Sequence, residues 1–88
     1  MSGVECVALF KGHNIRAFST WTNEAELYID DICEDTSKQR IFTVKKRILA
    51  ASLSHENRIY SVEVYAKALL SVRLQICIDG RQIAGEVL

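Results

Sequence analysis

The sequence reads as a single all-β domain spanning 1–88, a small antiparallel β-sandwich or partly closed barrel of about six to eight strands. Three observations predict this class. Apolar and polar residues alternate with period two over several segments, which is the repeat of a strand with one wet face. Clusters of Asn, Asp, Gly and Ser fall between those segments at strand-like spacing. The chain also has no proline and only four glycines, so few residues break its extended runs. The alternative architecture is α+β, with a helix over 38–54.

The elements follow in order. VECVALFK and IRAFSTW are rich in aromatic and β-branched residues and flank Gly12-His13-Asn14, which reads as a hairpin turn. Thr22-Asn23-Glu24 closes the second run. In AELYID, Ala25, Leu27 and Ile29 share one face, while Glu26, Tyr28 and Asp30 share the other. RIFTVKKRILAASLS is ambiguous. As a strand it aligns Phe42, Val44, Ile48 and Ala50, interrupted by Lys46; as a helix it stacks Val44, Ile48 and Ala51. The β-rich run Ile41-Phe42-Thr43-Val44 favours strand. After a turn at Ser54-His55-Glu56-Asn57, Tyr60, Val62, Val64, Ala66 and Ala68 alternate with Ser61, Glu63, Tyr65 and Lys67. Leu70, Val72, Leu74, Ile76 and Ile78 then alternate with Ser71, Arg73, Gln75, Cys77 and Asp79. Ala68-Leu69-Leu70-Ser71 has no turn signature, which suggests a bent strand or a corner between sheets.

The stretch ICIDGRQIAG ends the chain's last long run at Asp79-Gly80. Asp-Gly between alternating runs is a two-residue hairpin signal, because both positions need positive φ. The return strand then carries Ile83 and Val87 on its apolar side. A phosphate-binding loop would need more glycines and a following helix. LYIDDICED repeats the same device, Ile then Asp then a second turn residue. The match is only two or three residues deep, too short to establish a duplication.

The opening hairpin, LYIDD, IFTV, YSVEV and VRLQICIDG together resemble the all-β domain of the Fas apoptotic inhibitory molecule family and small bacterial proteins built on that plan. The likeness spans most of the chain, and each motif is an alternating strand with an acidic turn. The resemblance implies a β-sandwich acting as a binding module, and it brings no catalytic residue. The glycine-rich turns and additional tryptophans of the animal proteins are missing here.

Composition narrows the function. Eleven basic and eleven acidic side chains cancel, so no net field attracts nucleic acid or an anionic membrane, and near-zero charge favours self-association. No apolar run is long enough to span a bilayer, and MSGVECVALF lacks the basic and long apolar regions of a signal peptide. Cys6, Cys33 and Cys77 are odd in number and unpaired in spacing, which points to free thiols and a cytoplasmic location.

Four groups of residues are chemically suggestive. Asp30, Asp31, Glu34 and Asp35, with Asp79 as a neighbour, are carboxylates of the kind that bind Ca²⁺ or Mg²⁺, but their spacing is that of an acidic turn rather than an EF-hand. His13 and His55 read as exposed turn residues. Trp21 is expected to plug one end of the core. Lys45, Lys46 and Arg47, near Lys38, Arg40 and Arg58, form the basic concentration. With Tyr60, Tyr65 or Phe42 they could make a platform for single-stranded nucleic acid, a reading weakened by the neutral total. The sequence therefore predicts a non-enzymatic module without cofactor, metal or membrane association. Its partner would be another protein or a second copy, and its candidate surface is Lys45, Lys46, Arg47, Tyr65 and Leu69, beside the apolar Ile59.

Overall fold

The computed structural model describes residues 3–20, 24–68 and 70–88; Trp21 and Leu69 lie outside them, as does most of the turn expected at 22–24. Eight strands follow one another: β1 Gly3–Phe10, β2 His13–Thr20, β3 Ala25–Ile29, β4 Ile32–Ser37, β5 Lys46–His55, β6 Arg58–Ala68, β7 Val72–Ile78 and β8 Arg81–Gly85. They form two antiparallel four-stranded sheets, in the orders β1-β2-β3-β4 (sheet A) and β5-β6-β7-β8 (sheet B). The sheets pack face to face without closing into a barrel, and there is no helix among the described residues. The sandwich reading holds; the partly closed barrel and the helix over 38–54 do not.

Two-residue turns close four of the six antiparallel connections: Lys11-Gly12, Asp30-Asp31, Glu56-Asn57 and Asp79-Gly80. All eight residues have positive φ, between 49° and 82°. That geometry matches the right-handed twist of the flanking strands. The first turn lies one residue before the Gly12-His13-Asn14 cluster, because His13 already pairs with Phe10. The missing turn signature after Ala68 has a simple resolution. β6 and β7 pair within one sheet from Ala68 and Val72 onward, joined across 69–71, so the chain neither bends through nor changes sheet there.

Residues 41–54 depart furthest from expectation. The strand begins at Lys46, not at Phe42, and Phe42 and Val44 are exposed outside any strand. A register shift between Arg47 and Leu49 then moves the alternation by one, so Leu49, Ala51 and Leu53 lie toward the core while Ala50 faces out. A bulge inserts one unpaired residue, and with side-chain period two this inverts every later position. Ile48, adjacent to the shift, is buried as well. Val87 is exposed beyond the end of β8, and only Ile83 of the expected pair packs against the core.

The core is the space between the sheets. Sheet A contributes Cys6, Ala8, Ile15, Ala17, Ala25, Leu27 and Ile29; sheet B contributes Leu49, Leu53, Tyr60, Val62, Val64, Ala66, Val72, Leu74, Ile76 and Ile78. The small alanines of sheet A and the branched residues of sheet B belong to this one core. Ile41, on the 38–45 connection that carries the chain from sheet A to sheet B, seals one side.

The halves repeat each other. Ile15 pairs with Ile29 in sheet A as Val62 pairs with Ile78 in sheet B. The β3–β4 register shifts between Leu27 and Tyr28, and β7–β8 shifts at the corresponding Ile76 and Cys77. Asp30 Oδ1 accepts the Asn14 backbone N–H at 2.9 Å, just as Asp79 Oδ1 accepts that of Ser61 at 2.9 Å. β1 lies over β7 and β8, and reciprocally β5 lies over β3 and β4. The match between LYIDDICED and ICIDGRQIAG thus belongs to a repeat of structure that extends over both four-stranded meanders.

Candidate functional site

The sequence-predicted surface is assembled in part. Lys45, Arg47 and Tyr65 come together on the outer side of sheet B. The Lys45 Nζ lies 4.8 Å from the centre of the Tyr65 ring, and Arg47 Nη1 donates to Glu63 Oε2 at 2.9 Å. The Tyr65 hydroxyl donates to Glu63 Oε1 at 3.3 Å, and burial together with the Glu63 charge pushes its phenol pKa up. Lys46 points elsewhere, over Phe42 at 5.5 Å. Each cation of the triplet is therefore engaged by an acid or a ring, which leaves fewer aromatic faces for a base to stack on. Tyr60 is buried against Phe10, with centroids 5.0 Å apart, and belongs to the core instead of a stacking platform. Ile59 is exposed as expected.

The acidic turn is dispersed. Asp30 serves the β2 backbone, and Asp35 Oδ2 accepts the Ala50 backbone N–H of β5 at 2.9 Å. Asp79 belongs to the opposite sheet's turn, where it also meets Arg58 at 3.6 Å. No three His, Cys, Asp or Glu side chains converge for a metal among the described residues.

The free edges of the two sheets are unequal. β4 is acidic, β8 is short and bulged, and β5 carries Lys46, Arg47, a bulge and the Asp35 carboxylate on one of its amides. These are the devices that discourage strand addition. β1 lacks them. It pairs with β2 from Gly3↔Thr20 to Phe10↔His13 without a register shift, and Val7 and Leu9, 57% and 72% exposed, stand on its outer face. The two-residue turn makes Phe10/His13 a hydrogen-bonded pair. By alternation the amides of Glu5, Val7 and Leu9 point away from β2 toward the sheet edge. Glu5 is paired with Arg16 at 3.1 Å, and the Arg16 guanidinium covers Tyr28 at 4.5 Å.

His13 and His55 are not exposed turn residues. They meet where the tips of the two sheets converge, His13 Nε2 lying 3.1 Å from His55 Nδ1 with the rings nearly perpendicular at 89°. His13 Nδ1 is 2.6 Å from Asp30 Oδ2. An ionised carboxylate can only accept, so His13 carries a proton on Nδ1; when both imidazoles are neutral, His13 Nε2 is then the acceptor and His55 Nδ1 the donor. The bonds from His13 and from the Asn14 amide hold the Asp30 carboxyl below the usual carboxylate range. His55 Nε2 in turn faces Glu56 Oε2 at 3.7 Å. The sequence hid this arrangement because the residues are 42 positions apart and each sits beside an ordinary turn.

Cys33 is exposed, while Cys6 and Cys77 are buried and their thiols are pushed up in pKa by desolvation. A depression of about 430 Å³ is lined by Phe18, Thr20, Glu26, Thr36 and Lys38, and it gathers no nucleophile with a base. No helix is long and apolar enough to cross a membrane among the described residues. No family model, curated protein or solved structure matches the chain.

Proposed function

We propose that the chain is a non-catalytic protein-interaction module that receives an extended segment of a partner protein along β1. The observation that carries this reading is the contrast between edges: β4, β5 and β8 are guarded, whereas β1 is regular, unbulged and flanked by Val7 and Leu9. Strand addition draws affinity from main-chain hydrogen bonds, and alternate side chains supply the selectivity. Glu5, Val7 and Leu9 offer both, since their amides face the open edge and their side chains the outer surface. Three free thiols support a reducing, cytoplasmic setting.

The test is amide hydrogen exchange on the protein alone and with candidate partners, together with its mass in solution over a concentration series. Glu5, Val7 and Leu9 should exchange fast in the isolated chain and slow on association, and Val7→Lys should abolish the slowing. A protein that stays monomeric, recovers no partner and shows no slowing at β1 under any condition sinks the reading.

A further inference from the structure

We propose that His13 Nε2 and His55 Nδ1 form a two-imidazole binding site for a divalent late transition ion, of which Zn²⁺ is the representative, and that the bound ion pins sheet A to sheet B. Metal–imidazole bonds are about 2.0–2.1 Å, so two nitrogens on one tetrahedral ion stand roughly 3.3–3.4 Å apart. The observed 3.1 Å is close to that span, and binding turns each half-buried ring so that both lone pairs aim at an ion lying off the line between the nitrogens. Imidazole is suited to Zn²⁺, Cu²⁺ and Ni²⁺ and poorly suited to Mg²⁺ or Ca²⁺, which prefer oxygen. Water completes the coordination, because the protein supplies two ligands from a partly open site.

The carboxylates at either end of the pair carry the argument further. A ligating histidine commonly donates its other N–H to a carboxylate, which fixes its tautomer and raises its basicity. Asp30 already does this for His13. In the neutral pair His55 holds its proton on Nδ1, the nitrogen that must bind the ion. Binding shifts that proton to Nε2 through solvent, leaving the imidazole neutral and placing the new N–H toward Glu56, now 3.7 Å away. Both ligands would then be backed by a carboxylate, one from the β3–β4 turn and one from the β5–β6 turn. Lys11, the cation near this tip, lies over the Phe10 and Tyr60 rings.

The decisive experiment follows the imidazole nitrogens by ¹⁵N NMR in chelator-treated full chain at neutral pH as Zn²⁺ is added, with Mg²⁺ as control and Tm measured in parallel. The expected result is a shift of His13 Nε2 and His55 Nδ1, the appearance of the Nε2–H tautomer at His55, and a Tm rise on the order of 5 °C at excess Zn²⁺. Mg²⁺ should produce none of these. His13→Gln and His55→Gln should each remove the effect. Asp30→Asn, which keeps both ligands, should weaken Zn²⁺ affinity by roughly 10–100-fold. Imidazole signals that ignore Zn²⁺, or a Tm rise that persists undiminished in His55→Gln, overturn the proposal. The site is independent of β1, so Val7→Lys should leave Zn²⁺ binding intact.

Discussion

Single residues reveal where backbone geometry, rather than side-chain contact, limits substitution. Gly85 has φ +94°, and a Cβ there would meet the Leu74 carbonyl and lie 2.8 Å from Gln75 Cα. Gly85→Ala should therefore destabilise the fold by about 1–3 kcal/mol, measured by urea unfolding. Gly80 has a similar φ of +82° but open space around it, so Gly80→Asn should cost far less in the same assay. The turn at Asp30-Asp31 offers the converse test. Asp31 is exposed with φ 66°, and Asp31→Gly would recreate the pair already present at Asp79-Gly80. Stability should rise by about 0.5–1 kcal/mol, the relieved left-handed strain outweighing the added chain freedom. Thiol chemistry divides just as sharply: Cys33 should react with a disulfide reagent at once, and Cys6 and Cys77 only on unfolding, since burial keeps them as thiols.

Among the elements, legibility followed the regularity of the ladder. AELYID and the runs 60–68 and 72–78 show their core face directly, because nothing interrupts period two on that side. Leu70, expected on the same face, is exposed in the connection between them, and Gln75 and Cys77, expected on the wet face, are buried as well. β5 could not be read correctly, since a bulge leaves no mark in composition and reverses the faces beyond it. Ile41-Phe42-Thr43-Val44 misled for a different reason. Its β-branched and aromatic residues suit a strand, but the segment is consumed in carrying the chain between sheets. Leu49 marks the difference. It is 2% exposed, so Leu49→Ala should cost about 2–5 kcal/mol, whereas Ala50, expected on the core face, should accept Ser with little change in Tm. The candidate sites were less legible than the strands. The basic triplet is visible in sequence but the partners that engage it are not, and the histidine pair depends on how two distant hairpin tips meet.

At the scale of the whole molecule, the sandwich consists of two equivalent meanders, each with one apolar face and neither able to bury it alone. Cleavage between the exposed Gln39 and Arg40, in the 38–45 connection, should give fragments that are unstructured apart and recover the intact β-sheet circular dichroism when mixed. Failure to reassemble at high concentration would show that the connection does more than link the halves. The meander order also bears on how quickly the native state is reached. Every hydrogen-bonded strand pair joins neighbours in sequence, so all ladders close over short loops. All-β sandwiches ordinarily fold slowly because distant strands must find one another. Here the one step requiring distant residues to meet is the joining of the two meanders, which form as they pack together, and refolding should run faster than is usual for a sandwich of this size.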